Sequence, residues 1–473
     1  MKRWLVIAGS ALLTGCMNLA PDYERPEGAM PEFWAEPSAM PSEISSAALD
    51  WRSFIVDPKL QRLIEIALEH NRDIKVASET LRQAAALYGV QRSERFPNLD
   101  LTAGFINQRV PEALSGVPDS VNRQHSIDLG LLSYELDFWG RVASLERQAL
   151  NAYLATEQGR RNIQIIVINQ VAATFLQLAA DEALLLLAEE TMESQMASLA
   201  LTQQSFDNGV VSGLDVAQAE VTVAIARVDV ANYSNRVAAG VNALVSLVGT
   251  GFDPVLLPEP GQMEVLAPVQ VGLPSMLLTQ RPDVAQAEYN LIAANASIGA
   301  ARAAYFPNIS LTATAGLLSA DLDDLFSGDA GSWNFTPSLY LPIFNWGRVR
   351  GNVEVAKAQA AIALAQYERT IQIAFQEVSD ALSGQRYLAQ QYEAQSQLVD
   401  ATGTSFSLSD LRFRQGVDSF FTVLDSQRGY YSAQQGLINL ALVQQNNRLN
   451  LFRALGGGWV GSPTADEIPP RSD

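Results

Sequence analysis

The sequence predicts a mixed α and β protomer that is built twice. Short signatures recur in the same order in the two halves of the chain. Each half holds a long stretch without proline that is rich in helix-forming residues, and runs of alternating apolar and polar residues precede it. Alternation with a period of two indicates strands, and long helix-forming stretches indicate helices. Each half is therefore expected to hold a β-hairpin and long helices.

Four paired signatures carry the duplication. The pairs are Arg95–Ala103 with Tyr305–Ala313, Phe138–Val142 with Asn345–Val349, Phe206–Val210 with Phe413–Val417, and Leu247–Gly249 with Ala454–Gly456. The offset is 210 residues for the first pair and 207 for the other three, so the first copy is three residues longer between its first two signatures. Chance similarity would not keep four signatures in order, so we expect a pseudo-symmetric protomer.

The longest helices are predicted where proline is missing, from Asp119 to Asp253 and from Ile343 to Ser462. The first block predicts a helix from about Val142 to about Phe206, roughly 100 Å long at 1.5 Å per residue. A partner of about half that length follows over about 214–247. The helices are rich in alanine, glutamine, serine and asparagine, which favours a barrel of helices around water. The alternative is a plain antiparallel coiled coil.

A further helix is expected before each Phe-Pro-Asn signature, over about Leu60–Glu94 and about Asp283–Tyr305. Pro282 suits the first turn of the second of these helices because a proline there loses no helical hydrogen bond. Two shorter helices stacked end to end would then lie beside one long helix.

Four runs alternate apolar with polar residues. The apolar positions are Leu99, Leu101, Ala103 and Phe105; Ile127, Leu129 and Leu131; Ile309, Leu311, Ala313, Ala315 and Leu317; and Trp333, Phe335, Leu339 and Leu341. The alternation in the second run slips at Leu132. Each run is close to the 9–11 residues or so that cross a bilayer as a tilted strand. The alternative is a pair of half-buried hairpins in a soluble protein.

Four strands cannot close a membrane barrel, which has about eight strands or more. Open sheet edges cannot lie in lipid, because their backbone polar groups would be unpaired. Spanning strands would therefore require several copies of the chain. A dimer would supply eight strands and a trimer twelve, and this arithmetic does not choose between them.

The N-terminus has the features of a bacterial lipoprotein signal. Lys2 and Arg3 precede an apolar stretch that is too short to span a bilayer. It ends in Leu-Thr-Gly before Cys16. By this resemblance the signal is cleaved before Cys16, whose thiol takes a diacylglycerol, and several acyl chains hold the protein on a membrane. Met17 follows in place of the aspartate that retains lipoproteins in the inner membrane, so the outer membrane is favoured.

These features divide the chain into five segments. Residues 1–15 form the signal peptide, and residues 16–60, rich in proline and tryptophan, form a lipid-anchored extended arm. Repeat 1 covers 61–260, with its hairpin at about 98–138. Repeat 2 covers 261–460, with its hairpin at about 308–344. Residues 461–473 form a C-terminal tail.

Composition excludes several classes of function. The 51 acidic residues outnumber the 32 basic ones and give a net charge of -19, which repels nucleic acid. A single cysteine excludes an internal disulfide, and one cysteine with two histidines nearly excludes a Cys/His metal cluster. The residues form no recognisable catalytic constellation, so we expect neither an enzyme nor a cofactor.

The chain resembles the TolC/OprM family of outer-membrane factors. The resemblance covers essentially the whole mature chain. It is carried by the lipoprotein signal, the segment Leu19–Pro26, the paired Phe-Pro-Asn and Trp-Gly-Arg signatures, Gln280–Val284, and Gly416–Arg428. It is strongest to the lipoprotein branch that serves resistance-nodulation-division pumps. The resemblance implies a trimer with a twelve-stranded barrel, a long periplasmic helical barrel and an equatorial domain.

The resemblance also implies a gate at the periplasmic helix tips. The family's constricting aspartate falls on Asp425 and its apolar neighbour on Phe421. Contacts that lock the tip fall on Phe413 and Arg428. Relatives have leucine in place of Phe421 and tyrosine in place of Phe413, and a phenylalanine cannot make the tyrosine's hydrogen bond. The alternative for Asp425 and Arg428 is a solvated pair on one helix.

The function implied is a passive exit duct across periplasm and outer membrane, carrying drugs or other small toxic compounds. Its partners would be a periplasmic adaptor, an inner-membrane resistance-nodulation-division pump and outer-membrane lipid. Export of proteins, peptides or metal ions through the same duct is an alternative. So is a lipid-anchored coiled-coil scaffold without a pore.

Replacement Cys16→Ser should abolish metabolic labelling of the protein with palmitate, because the thiol is the predicted site of acylation. The mutant is still expected in the membrane if the strands insert. Labelling that persists in the mutant would refute the lipid anchor.

Overall fold

The computed structural model describes residues 18–26, 50–111, 113, 121–269 and 281–457. Contacts divide these residues into two compact units. The strand unit comprises the described residues of segments 1–27, 80–156 and 286–367. The helical unit comprises those of segments 28–79, 157–285 and 368–473. Each unit contains segments of both predicted repeats.

The strand unit contains an antiparallel sheet of four strands in the order β1-β2-β3-β4. The strands are β1 (Leu99–Arg109), β2 (Val121–Glu135), β3 (Asn308–Ser319) and β4 (Gly331–Tyr340). Both hairpins lie within the predicted windows. Strands β1 and β4 are the edges of the sheet, and each lacks a strand neighbour on one side among the described residues.

Strand register places the apolar residues of all four strands on one face. One row across the sheet contains Leu101, Leu129, Ala315 and Trp333. A second row, two residues away along each strand, contains Leu99, Leu131, Ala313 and Phe335. The row between them, Asp100, Gly130, Thr314 and Asn334, lies on the opposite face. Because side chains alternate along a strand, a slip of one residue would destroy this separation.

The slip in alternation predicted at Leu132 is a β-bulge. Leu131 pairs with Ala313 and Tyr134 with Leu311, so β2 has one residue more than β3 across this stretch. Ser133 adopts a left-handed backbone (φ 58°), as bulges can require. The bulge thus accounts for part of the extra length of the first copy.

Eight helices are described. They are α1 (Trp51–Phe54), α2 (Pro58–His70), α3 (Arg72–Ser93), α4 (Arg141–Asp207), α5 (Gly213–Val248), α6 (Pro282–Ala303), α7 (Arg348–Arg414) and α8 (Phe420–Ala454). A 3-10 turn, Pro254–Leu256, lies between α5 and α6. Helices α4 and α7 have 67 residues each, so each is about 100 Å long.

The helix predicted over Leu60–Glu94 is wrong as one continuous element. Asn71 interrupts it with an extended backbone (ψ 134°). Its side-chain oxygen accepts hydrogen bonds from the backbone N–H groups of Asp73 and Ile74, at 2.8 and 3.2 Å, which caps the start of α3. Its amide donates to the carbonyl of Leu247 at 2.7 Å. The break is therefore fixed by a tertiary contact.

Helical structure also begins earlier than the predicted repeat boundary at residue 61, because α1 starts at Trp51. Phe54 of α1 stacks on Phe452 of α8 at 3.9 Å between ring centroids. This short helix thus belongs to the core of the helical unit, among residues of α2, α4, α5 and α8.

The described part of the arm lies along α6. Arg25 forms a bidentate ion pair with Glu288, with both N···O distances at 2.7 Å. The Tyr23 hydroxyl donates to the same carboxylate at 3.2 Å. Farther along α6, Asn295 donates to the carbonyl of Pro21 at 2.9 Å. The arm is thereby fixed to the strand unit just after the predicted anchor.

One described helix, α4, is long and apolar enough to cross a membrane by length and composition alone. In the most apolar window of α4, 56% of the residues are buried by the protein itself. That burial is what a core helix of a water-soluble domain shows as well.

Replacement Leu129→Arg should block membrane assembly, because Leu129 lies mid-strand on the apolar face. Placing arginine on the lipid face near mid-bilayer costs about 2–4 kcal/mol. Asn334→Arg, on the polar face, is the matched control and should assemble normally. The yield of folded protein in outer-membrane fractions measures both. Equal yields, or a lower yield for the control, would contradict the assigned faces.

Candidate functional site

The predicted site lies at the ends of two helical hairpins in the helical unit. In repeat 1 the hairpin joins α4 to α5 through residues 208–212, and in repeat 2 it joins α7 to α8 through residues 415–419. We call these turns tip 1 and tip 2. The predicted gate residues all lie in or beside tip 2.

The two tips share one backbone design. Gly209 and Gly416 have left-handed backbones, with φ of 73° and 75°. In tip 2 the N–H of Gly416 donates to Phe413 at 2.8 Å and that of Val417 to Arg412 at 2.9 Å. Tip 1 repeats both bonds with Gly209 and Val210 as donors, each at 2.9 Å. This is a Schellman motif, in which glycine is favoured because a Cβ there is strained.

The side chains that close the tips differ. In tip 1 the carboxylate of Asp215 accepts from the hydroxyl and N–H of Ser212, at 2.7 and 2.8 Å, and these bonds lower its pKa. In tip 2 Asp418 forms a bidentate ion pair with Arg412, at 2.6 and 2.9 Å. The guanidinium lowers the pKa of Asp418. Only tip 2 is thus braced by an ion pair that reaches back to the preceding helix.

Phe413 packs in the small apolar core of tip 2. Its ring lies 5.3 Å from that of Phe420, at 46°. The same cluster includes Ala219 of α5 and Val423 and Leu424 of α8. Phe413 therefore contributes packing to tip 2.

Phe421, Asp425 and Arg428 form an exposed stripe along the first turns of α8. The spacing of four and three residues places them on one helix face. Phe421 is 59% exposed in the single chain, while its neighbour Phe420 is 4% exposed. Asp425 and Arg428 are exposed as well. The structure thus separates a face that packs the tip from a face that is available to other copies.

Arg428 does not bind Asp425 within one chain. Across the described residues, neither side chain has an ion-pair partner within 4 Å. The one-turn spacing in the sequence therefore does not by itself neutralise the carboxylate. Among the described residues of one chain, Asp425 therefore has no neutralising basic partner.

Sequence reasoning missed the polar link between α8 and α5. The hydroxyl of Tyr431 donates to Asp229 at 3.1 Å, and Gln435 donates to the hydroxyl of Tyr233 at 3.0 Å. Burial, with the nearby Asp229 carboxylate, raises the pKa of Tyr431, so the phenol stays neutral and donates. The partners are 202 residues apart in the sequence, so no local pattern indicates that they meet.

The predicted lipidation residue, Cys16, lies outside the described residues. Its assignment stays a prediction.

The family model for "Outer membrane efflux protein" matches residues 63–250 and 273–457. The chain belongs to this family. It is 45% identical over 465 residues to the antibiotic efflux pump outer membrane protein ArpC of Pseudomonas putida, covering 97% of this chain and 96% of that protein. It is 45% identical over 456 residues to the solvent efflux pump outer membrane protein SrpC of Pseudomonas putida, covering 95% and 96%.

Among solved structures, the open state of the Neisseria gonorrhoeae MtrE outer membrane channel matches with a TM-score of 0.84 and 32% identity. The match covers 93% of this chain and 98% of that one. The predicted family and fold class are confirmed, and so is the location in the outer membrane. As a member of the outer membrane efflux protein family, the chain is a subunit of an exit duct.

Replacing Phe421 and Asp425 together with alanine should raise single-channel conductance several-fold and reduce cation selectivity, because both bulk and negative charge leave the stripe. Leu214→Ala with Gln218→Ala is the matched control, since the offset of 207 places these residues at the same positions of α5. It should conduct like the parent in planar bilayers. A double mutant at 421 and 425 with parental conductance would place the constriction elsewhere.

Proposed function

We propose that three copies of the chain form one continuous duct, closed at rest by a ring of Phe421 and Asp425. In this proposal a periplasmic adaptor and an inner-membrane resistance-nodulation-division pump deliver the cargo and the energy. The observation that carries the proposal is the four-stranded sheet with one apolar face and two unpaired edges.

An even number of antiparallel strands allows a closed ring. Because β1 and β4 run in opposite directions, β4 of one copy lies antiparallel to β1 of the next, and the pattern repeats around the barrel. Closure pairs the edge groups that lipid cannot hydrogen-bond. Three copies supply the twelve strands that the family resemblance implies.

Around the threefold axis of a trimer, the exposed stripes of three α8 helices would form the constriction. Three Phe421 side chains would narrow the opening, and three Asp425 carboxylates would form an acidic ring. Such a ring repels anions and concentrates cations. Since Arg428 does not reach Asp425 in its own chain, we expect Arg428 of a neighbouring copy to hold the ring together. The Arg412–Asp418 pair then stabilises tip 2 within each copy.

The cargo class follows from the relatives. ArpC is named for antibiotic efflux and SrpC for solvent efflux, so we infer small apolar or amphipathic compounds as cargo. A wide, wet duct gives little selectivity, so the pump would set the choice. We assign the chain no catalytic step, and its lipid anchor would be Cys16.

Mass measurement of the purified protein in mild detergent should find three chains per particle, because closure removes the exposed edges and the family resemblance implies twelve strands. The same particles should conduct ions in planar bilayers, whereas a scaffold without a pore would not. A stable monomer that retains its strands would refute the barrel. Trimers that never conduct would refute the duct.

A further inference from the structure

Within one chain, the two repeats meet at an aromatic pair next to the sheet. Trp139 of repeat 1 stacks on Phe306 of repeat 2, with 4.6 Å between ring centroids and 22° between planes. The indole N–H of Trp139 donates to the carbonyl of Pro307 at 2.8 Å. Both rings are partly buried. This contact joins the end of repeat 1's hairpin to the start of repeat 2's hairpin.

The duplication supplies a second set of the same residues without the contact. Trp346 is the counterpart of Trp139, and Phe96 and Pro97 are the counterparts of Phe306 and Pro307. In the single chain Trp346 is 89% exposed and Phe96 is 62% exposed. The backbone of Trp346 is left-handed (φ 52°), which costs a bulky residue energy. Within its own chain Trp346 contacts the ring of Phe344, with 4.8 Å between centroids and 59° between planes. No ring contact or hydrogen bond among the described residues joins it to Phe96 or Pro97, so this second set has the chemistry of the pair without making it.

We propose that the contact between repeats recurs between subunits, with a second copy of this chain as the partner. Trp346 stacks on the partner subunit's Phe96 and donates its indole N–H to the carbonyl of the partner subunit's Pro97. The inference rests on the proposed closed ring. It specifies the contacts at the seam, which is the place where β4 of one copy meets β1 of the next. Three contacts within chains and three between chains would make a ring of six.

The same reasoning fixes the strand register at the seam. Leu99 pairs with Leu131 in the first hairpin and Ile309 with Leu339 in the second, which makes Leu339 the counterpart of Leu131. Leu131 pairs with Ala313 between the repeats, and the counterpart of Ala313 is Ala103. Leu339 should therefore lie opposite the partner subunit's Ala103.

Beyond the bulge the pairs give the same register. Tyr134 pairs with Leu311, and their counterparts are Leu341 and Leu101. Leu341 opposite the partner subunit's Leu101 continues the pairing of Leu339 without a bulge. That agrees with the regular pairing of β4 along β3. All four residues lie on the apolar face, so the lipid-facing surface would cross the seam unbroken.

The acidic residue at the seam lies on a different strand from the acidic residue of the equivalent contact within the chain. Within the chain, Arg141 binds Glu135 of β2 at 2.6 and 2.8 Å, and Glu135 pairs with Ser310 of β3. In the second set Arg348 replaces Arg141 and Pro342 replaces Glu135, but the counterpart of Ser310 is Asp100. In the second set the acidic residue, Asp100, therefore lies on the strand that faces Pro342 across the seam.

Neither Arg348 nor Asp100 has an ion pair with any residue that the structure describes. At the seam, Arg348 would bind the partner subunit's Asp100, which faces Pro342 in the register above. A carboxylate on the facing strand can take the place of Glu135 because opposite residues of an antiparallel pair lie about 5 Å apart at Cβ.

Cysteine pairs test the register. Leu339→Cys with Ala103→Cys should oxidise to covalently linked trimers on non-reducing gels, because a disulfide needs Cβ atoms about 4 Å apart. Leu339→Cys with Leu101→Cys or with Phe105→Cys shifts the register by two residues on the same face and should link poorly. Better linking by either shifted pair, or none by any pair in particles of trimeric mass, would overturn the seam. Particles that are not trimers would instead refute the proposed function.

Seam side chains are tested by the temperature at which trimers dissociate in detergent. Trp346→Ala should lower it markedly, and Trp346→Phe, which keeps the stacking but not the hydrogen bond, should lower it less. Arg348→Asp and Asp100→Arg should each lower it, and the double variant should regain most of the loss. Dissociation of Trp346→Ala at the parental temperature, or a double variant no better than the singles, would overturn these contacts.

Discussion

Backbone hydrogen bonding in lipid is the constraint on which the rest of this protein depends. A strand edge in water is satisfied by solvent, but a strand edge in a bilayer is not. The described residues form four strands with two unpaired edges, so the sheet of one chain is not a complete membrane structure. The apolar face that runs in register across the four strands becomes useful only when the ring is complete. The duplicated architecture fits such a ring, because each chain contributes two hairpins to it.

Much of this fold could be predicted because it rests on local patterns. The alternation of Leu99, Leu101 and Ala103 determines which face is apolar, and the missing prolines mark the long helices. The break at Asn71 could not be predicted, since it depends on a carbonyl 176 residues away. The link from Tyr431 to Asp229 escaped for the same reason. For the site, the sequence indicated the residues of tip 2, but their separation into a packed and an exposed face required the coordinates.

The two tips show how two copies of one duplicated segment keep the same backbone but differ in their side chains. Their backbones are alike down to the Schellman hydrogen bonds, so six similar hairpins would surround a trimer's axis. Their side chains are not alike: Asp215 caps its own helix, whereas Asp418 holds Arg412 of the preceding one. Phe421 and Asp425 occur only in the second copy, where the first has Leu214 and Gln218. The backbone design is therefore repeated in both halves, whereas the residues of the proposed ring occur in the second half.

The unpaired edges of β1 and β4 also bear on how the protein is made. A single chain that entered the bilayer would leave two rows of backbone groups in hydrocarbon, each unpaired group costing several kcal/mol. Two chains on the way to a closed trimer would still leave two rows. Insertion and association are thus one event, and its rate should rise steeply with the local concentration of chains. A lipid anchor that confines the chains to one surface before they insert would supply that concentration.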